Sequence, residues 1–579
     1  MKGRIQELGR ESLQKIILDM TAFLTEDQRQ QLERLIAECA AGKSQAGVRQ
    51  RTVRMSQELV DEKMEQLKIW MEQIDEGELY LDTEEYEDYS DNYWNRDWIV
   101  EYHDNQGVGD KLMYAIQLAK DCVDDCRYAE AQFIYEWLWQ MEVMAHNEYV
   151  DETDPASLET LVKNKIVKTD IRQLALLTLY ADYQALDADK RAQDLYLYFS
   201  NREFQELHIE DMFQVGRENL PDTDRFWADW TALLKTKSGD VEARLLQEAV
   251  LFNEGVEELV KIADETSTTH PSLYLAAIKV YDKNHDYDQI EKIGARALEQ
   301  LEKSLKIRAE IALWAAYAAS CQTHTQQMMQ FCWECFASDS TVRNYLRLFG
   351  AKEMAVQYGM RGREILRSGI RTNRAELGRN RELCPNFVGD FGYHELCFYT
   401  GDFETARHAS KDPQGSLGWS SSFIRQGIRL FLLYLYEKPR PSMAAAAVAQ
   451  NVGFEKDSDQ SCVMAFESAI EEESRIEKTS VFWNYFRRWK QYFQMDAAER
   501  RRYLAWAEKI VCSRADAIVG GQHRGHYEDV AILLAMTAEI KQDMGMQDAM
   551  QEMYAQYKKK FPRHSSFQGA MKRYFGIKG

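Results

Sequence analysis

Proline is scarce in this sequence of 579 residues, since only 8 prolines occur. Proline breaks helices because it lacks a backbone donor and clashes with the preceding turn, so its scarcity permits long helical stretches. The residues that fill nearly every segment, chiefly Leu, Ala, Glu, Gln, Lys, Arg and Met, tolerate helical rotamers. No long run alternates apolar and polar residues between turn signals. The sequence therefore predicts an all-α protein with strand nearly absent.

Apolar runs long enough to cross a membrane are missing as well. The longest, residues 428–436 and 443–449, fall far short of the roughly 20 residues that a spanning helix needs. The first helix is interrupted by Arg4, Glu7 and Arg10, which does not fit the apolar core of a secretory signal. We therefore expect a cytoplasmic protein that does not associate with a membrane.

The ten cysteines are scattered along the chain, a distribution typical of reduced thiols and not of a disulfide framework. One group has a spacing that could suit zinc, Cys321-x-x-His324 followed by Cys332-x-x-Cys335. This stretch reads mainly as helix, so that Cys332 and Cys335 would lie one turn apart as buried thiols on an apolar face. We therefore predict no bound metal and no other cofactor, with these four residues as the alternative zinc site.

Common catalytic signatures are also absent from the sequence. There is no His-Glu-x-x-His, no Gly-x-Ser-x-Gly, no Walker-type loop and no Gly-x-Gly-x-x-Gly. An unrecognised helical enzyme would have no motif to support it. The sequence therefore favours a protein that binds over one that catalyses.

Four segments of the chain differ in pattern. Residues 1–74 predict two or three helices that form an N-terminal helical hairpin. Residues 75–110 combine many carboxylates with aromatic residues and keep no helical period, which predicts an irregular acidic connector on the surface. Residues 111–384 and 385–579 predict a first and a second run of helix pairs, divided where Pro385 breaks the helical pattern.

Three turns within these runs share the same order of residue types. At Tyr128, Tyr287 and Phe403, polar residues end one helix, an aromatic residue enters the turn, and the next helix opens. These stretches resemble tetratricopeptide-type repeats. Their spacing along the chain does not follow the regular period of about 34 residues, so we expect an irregular array of unequal helix pairs.

A second resemblance concerns residues 503–575. A helix start at His526, a break at Gly545 and a closing basic and aromatic stretch around Tyr557 are similar to the helical repeats that follow the zinc finger in bacterial SWIM-type proteins. The finger itself is missing, because neither Cys-x-Cys nor Cys-x-His occurs in the sequence. The resemblance therefore implies a helical solenoid used for assembly, without the finger's nucleic-acid contact.

The charge of the chain is strongly acidic, with 72 basic and 94 acidic residues and a net charge of −22, which opposes general adhesion to nucleic acid. Against this background seven arginines, here called the arginine tract, stand close together: Arg361, Arg363, Arg367, Arg371, Arg374, Arg379 and Arg381. The tract predicts a docking surface for an acidic partner or for phosphates, since guanidinium groups bind both bidentately. Alternatively the arginines pair within the chain, with the acidic connector or between successive helix pairs.

Taken together, these patterns predict an irregular, tetratricopeptide-like α-solenoid of stacked helix pairs with an N-terminal helical hairpin. Solenoids expose long surfaces because each repeat contacts only its neighbours. We therefore expect a non-catalytic scaffold or adaptor of bacterial type that binds a protein partner or a peptide segment. The alternative is a nucleic-acid-associated accessory or regulatory protein, for example of a bacterial defence system, that uses the arginine tract.

Overall fold

The computed structural model of the protein describes residues 55–88, 97–147, 154–359, 361–367, 380–410, 423–453 and 461–577. The chain forms two compact units, the first comprising Met1–Ala185 and Val215–Asn219 and the second Leu186–Gln214 and Leu220–Gly579. Helix dominates the described residues of both units, so the all-α class is confirmed. Among the residues that the structure describes, no helix is long and apolar enough to span a membrane. The predicted division of the repeats at residue 384 stays a prediction.

The described part of the first unit has five helices and five short strands. The helices are α1 (Gln57–Asp75), α2 (Val108–Asp124), α3 (Tyr128–Gln140), α4 (Leu158–Lys163) and α5 (Ile171–Ala185), and the strands are β1 (Leu81–Asp88), β2 (Asp97–His103), β3 (Glu142–Val143), β4 (Ala145–His146) and β5 (Ala156–Ser157). Helix α1 begins after Ser56, whose hydroxyl caps it by accepting a hydrogen bond from the Leu59 amide. It packs on α2. The rest of the predicted N-terminal hairpin lies outside the described residues.

The segment predicted as an irregular connector, residues 75–110, contains β1 and β2 instead. The two strands pair antiparallel, with Asp82 opposite His103, and β1 also pairs in parallel with β4. The prediction of a connector without regular structure is therefore wrong for these strands. Leu81 and Thr83, two residues apart, are buried on one face of β1, but the exposed Glu85 breaks the alternation by which a strand is recognised in a sequence. The β-branched and aromatic residues of β2 favour a strand as well.

All the named elements in the described part of the second unit are helices. Its first helices are α6 (Arg191–Tyr198), α7 (Arg202–Gln205), α8 (Thr223–Lys235), α9 (Asp240–Asn253), α10 (Val256–Glu265), α11 (Ser272–Lys283), α12 (Tyr287–Gln300), α13 (Ile307–Cys321), α14 (Thr325–Ser338), α15 (Val342–Arg347), α16 (Lys352–Tyr358) and α17 (Gly362–Arg367). The remainder are α18 (Asp390–Tyr399), α19 (Phe403–Ala409), α20 (Ile424–Leu435), α21 (Met443–Val452), α22 (Ser461–Glu477), α23 (Val481–Lys490), α24 (Ala497–Gly520), α25 (Tyr527–Asp543), α26 (Ala549–Lys560) and α27 (Ser565–Tyr574), with 3-10 turns at Ile209–Gln214 and Arg524–His526. Successive helices pack as neighbours from α10 to α14, as in an α-solenoid, and α22 packs back onto α13.

The three turns singled out in the sequence share one backbone geometry. Their aromatic residues Tyr128, Tyr287 and Phe403 are the first residues of α3, α12 and α19. Two positions before each aromatic the backbone is left-handed, at Cys126, His285 and Gly401. The following amide donates to the carbonyl five residues earlier, at 2.8 to 3.0 Å. These are the features of a Schellman turn, which closes one helix and aims the next, so the repeated helix-turn-helix unit predicted from these turns is confirmed.

A buried aromatic core holds the later helices of the second unit together. Trp489 of α23 is fully buried, and its indole N–H donates to the carbonyl of Tyr399 at 2.7 Å. Its ring lies 5.6 Å from that of Phe398, centroid to centroid. Because both partners belong to α18, this contact fixes the C-terminal end of the helix that carries Glu395.

Candidate binding cleft

A cleft with a volume of about 1310 Å³ opens within the second unit. It is bounded by residues of α11, α13, α14, α15, α18 and α21 and by the non-helical segment before α18. Small-molecule pockets usually occupy about 300–1,000 Å³, so this cleft has room for a larger ligand such as a segment of polypeptide.

The wall formed by the segment before α18 is fixed by hydrogen bonds of the Asn386 side chain and of the backbone. The side-chain oxygen of Asn386 accepts a hydrogen bond from the Ser340 backbone N–H at 3.2 Å, and the side-chain nitrogen donates to the Ala337 carbonyl at 2.9 Å. The Lys306 amide donates to the Cys384 carbonyl at 2.8 Å. The sequence predicts a break in the helical pattern at this point. The non-helical segment found there connects the start of α13 to the end of α14.

The floor of the cleft carries a buried ion-pair cluster. Arg347 donates from Nε to Glu467 Oε1 at 2.9 Å, and Arg343 donates from Nη2 to Glu467 Oε2 at 2.5 Å. The Arg347 and Glu467 side chains are only 4% and 1% exposed. Burial by itself would lower the pKa of Arg347, but the Glu467 carboxylate beside it raises that pKa above its usual value. Arg347 therefore stays charged, and it also donates to the side-chain oxygen Oδ1 of Asn344.

A second carboxylate, Glu395 of α18, also lines the cleft. Its Oε1 accepts a hydrogen bond from the Gln426 side chain at 2.5 Å. Burial raises the pKa of Glu395 to about 7, and the hydrogen bond from Gln426 offsets this only in part. One turn earlier on the same helix, Phe391 lies edge-on to Phe423 and keeps 46% of its surface exposed. An apolar ring and a mostly buried carboxylate therefore line the cleft together.

A third carboxylate, Glu382, anchors the segment before α18 to α11. Its Oε2 accepts hydrogen bonds from the amide and the hydroxyl of Ser272, and its Oε1 lies 3.8 Å from His270 Nδ1. Burial alone would lower the pKa of His270, but hydrogen bonds to Glu382 and to the Leu234 carbonyl raise it. These contacts are all made within the wall of the cleft. Glu382 therefore holds the segment before α18 in place against α11.

The described members of the arginine tract do not form one surface. Arg361 stacks its guanidinium over the ring of Trp333 at 4.5 Å, and Arg363 donates to the Thr400 carbonyl. Arg367 is exposed at the end of α17, and Arg381 is exposed at the rim of the cleft. Arg371, Arg374 and Arg379 lie outside the described residues. The role of the tract in binding stays a prediction.

The alternative zinc residues occupy different environments. Cys321 is exposed at the end of α13, and His324 Nδ1 lies 2.8 Å from Glu291 Oε2. Cys332 and Cys335 are buried on α14, and burial raises the pKa of both thiols. In the part of the chain that the structure describes, no group of three or more His, Cys, Asp or Glu side chains is arranged to hold a metal ion.

Sequence reasoning missed the buried carboxylates at the cleft. Glu467 meets Arg347 from a position 120 residues further along the chain. Glu395 stands in the stretch Gly-Tyr-His-Glu-Leu, which has no recognisable motif. The available signal was compositional: a glutamate inside an apolar, aromatic helix marks a buried carboxylate that needs an explanation.

Comparisons with known proteins leave the family open. No family model matches the chain, and no curated protein matches it. Among solved structures it is similar to a "Circular tandem repeat protein with novel repeat topology and enhanced subunit contact surfaces", at 11% identity over 81% of this chain and 83% of the other, with a TM-score of 0.11. A TM-score this low does not indicate a shared fold. The resemblance to SWIM-type proteins is likewise not supported by any match.

Proposed function

We propose that the protein is a non-catalytic helical-repeat scaffold and that its cleft binds an extended segment of a partner protein. The observation that carries the proposal is the cleft itself, which is open, larger than a small-molecule pocket and walled by helix ends. A groove of this kind suits a chain segment, because helix ends present polar groups to the ligand while the helices behind them keep the wall rigid.

The rim of the cleft supports this proposal. Gln450 and Asn451, at the end of α21, are exposed and line the cleft. Side-chain amides both donate and accept hydrogen bonds, so they can pair with the backbone of an extended peptide whatever its sequence. The exposed ring of Phe391 on α18 offers an apolar contact in the same cleft. Backbone pairing would then supply affinity and the wall residues selectivity.

The proposal is tested by selecting peptides from a random library displayed on phage. We expect enrichment of a consensus on the wild-type protein and its loss on Gln450→Trp, which places a large ring in the cleft. Gln551→Trp is the matched control, since Gln551 is also an exposed helical glutamine but lies on α26. The proposal is wrong if no peptide is enriched, or if the same peptides survive on Gln450→Trp.

Binding of nucleic acid through the arginine tract is the alternative outcome. It predicts retention of oligonucleotides that weakens steeply with salt, because phosphate contacts release counterions. The triple variant Arg367→Glu, Arg371→Glu, Arg374→Glu should then lose this retention. We expect instead that retention is negligible for both the wild-type protein and the triple variant, since the net charge of −22 repels a polyanion.

A further inference from the structure

We propose that Glu395 is the counter-ion for a cationic group of the bound segment, a lysine or arginine side chain, which lies against Phe391. This inference rests on the proposed function of the cleft and names the chemistry of its partner.

The first support is the lack of charge compensation at Glu395. Its hydrogen-bond partner, the Gln426 amide, is neutral. Within the described part of the chain, burial and that amide are the influences that act on the Glu395 carboxyl, and no cation is among them. A mostly buried carboxylate without a cation is costly to ionise, and a ligand that supplies the cation recovers this cost.

The second support is that nearby charged groups are directed elsewhere. Arg343 and Arg347 of α15 bind Glu467, Arg363 of α17 binds the Thr400 carbonyl, Arg407 of α19 pairs with Glu404, and Arg425 and Arg429 of α20 pair with Asp529. On α17 Glu364 and Arg367 are exposed, and on α18 His394 lies against Phe423. Two further cations line the cleft, Lys306, which pairs with Asp339, and Arg381, but neither is among the influences on the Glu395 carboxyl. The charge of Glu395 is therefore left for a group that comes from outside.

The third support is the neighbouring aromatic ring. Phe391 stands four residues before Glu395 on α18, so both side chains lie on the same face of the helix. Its ring is 46% exposed at the cleft. A lysine or arginine placed between a carboxylate and a ring face gains both ion-pair and cation–π attraction. A single carboxylate with one amide offers too few oxygen ligands for a metal ion, so an organic cation fits the site better.

This assignment also predicts the direction of a pH effect. The pKa of Glu395 is raised to about 7 in the free protein, and a bound cation would lower it. Ligand affinity should therefore rise as the pH increases from 6 to 8, because the free carboxyl ionises over this range and the cation binds the ionised form.

The test uses a peptide selected on the wild-type protein and its counterpart with norleucine in place of the basic residue. We expect the selected consensus to contain Lys or Arg at one position, and the norleucine peptide to bind about ten-fold more weakly at pH 8. On Glu395→Gln the two peptides should bind alike, and the rise between pH 6 and 8 should disappear. Glu552→Gln is the control, because Glu552 is an exposed glutamate of α26 outside the cleft, and this variant should keep both the preference for the basic peptide and the rise with pH.

The outcomes separate this inference from the proposed function. A cleft-dependent consensus without a basic residue overturns the role of Glu395 and leaves peptide binding intact. A preference for lysine over norleucine that persists on Glu395→Gln overturns it as well. If no peptide depends on the cleft, both proposals fail.

Discussion

Tyr287, the first residue of α12, meets Tyr317 of α13 edge to face, with ring centroids 5.6 Å apart and ring planes at 86°. In the first unit Tyr128 of α3 meets Tyr180 of α5 in the same manner, at 5.8 Å and 75°. The hydroxyl oxygens lie 3.4 Å apart in both pairs. The aromatic residue that opens the return helix of a pair thus also fixes a helix that follows. The turn and the packing between helix pairs are therefore set by the same residue.

This relationship predicts energetic coupling between Tyr287 and Tyr317. Each alanine variant should lower the free energy of unfolding by about 1–3 kcal/mol, and the double variant should lose less than the sum, with a coupling of about 0.5–1.5 kcal/mol. Urea unfolding of the four proteins measures the coupling. Tyr287→Ala combined with Tyr554→Ala on α26 should be additive. A coupling near zero in the first pair would show that the ring contact contributes nothing specific.

A second prediction concerns Gly294, at the close approach of α12 and α13. A Cβ added there would lie 2.6 Å from the Ala315 Cβ, which is closer than two non-bonded carbon atoms can approach. Gly294→Ala should therefore separate the helices and destabilise the protein by about 1–3 kcal/mol. Gly569→Ala on α27 is the control, because a Cβ there meets nothing within 4 Å. The control should stabilise the protein by about 0.5–1 kcal/mol. Equal midpoints of thermal unfolding for both variants would contradict the close approach.

A third prediction concerns the floor of the cleft. Glu467→Gln leaves Arg347 buried without its carboxylate and should cost about 3–5 kcal/mol. Replacing all three charges, with Arg343→Met, Arg347→Met and Glu467→Leu, should recover much of that loss, since an apolar cluster of similar size needs no charge compensation. Denaturant unfolding of the two variants gives the comparison. If the triple variant is less stable than Glu467→Gln, the ion-pair cluster adds to the free energy of unfolding beyond the mutual compensation of its charges.

A fourth prediction concerns the pH dependence of stability at Glu395. Its pKa is raised to about 7 in the folded protein by burial, whereas an unfolded glutamate titrates near about 4.3. Between these values the folded state holds the proton that the unfolded state has released, so this group's contribution to stability falls as the pH rises through that range and levels off above about 7. Glu395→Gln should therefore exceed wild-type stability by about 1–3 kcal/mol at pH 8.

The same comparison at pH 4 to 5 is the control, since the wild-type carboxyl is then largely protonated and the advantage of the glutamine should shrink. Calorimetry or urea unfolding at the two pH values measures both differences. A constant difference across the range would mean that the pKa of Glu395 is the same in the folded and the unfolded protein. The pH dependence expected for ligand binding would then also be wrong.

The local features of the fold could be predicted from the sequence. Tyr128, Tyr287 and Phe403 marked their turns because a Schellman turn depends on residues within one helical turn of each other. The strands β1 and β2 were missed for two reasons. Each is stabilised by hydrogen bonds to the other strand, which a local pattern does not show, and their exposed face is rich in carboxylates. The arginine tract drew attention by composition, yet Arg361 and Arg363 contact Trp333 and the Thr400 carbonyl.

The sequence by itself therefore determined the helical class and the repeating turn, because both follow from backbone preferences and from contacts between residues close in the chain. Only the tertiary structure decided the cleft. Glu467 neutralises Arg347 from 120 residues away, and Gln426 reaches Glu395 from another helix at 2.5 Å. Whether a charge is paired or left for a ligand depends on which distant segments fold against it, and no local pattern records that choice.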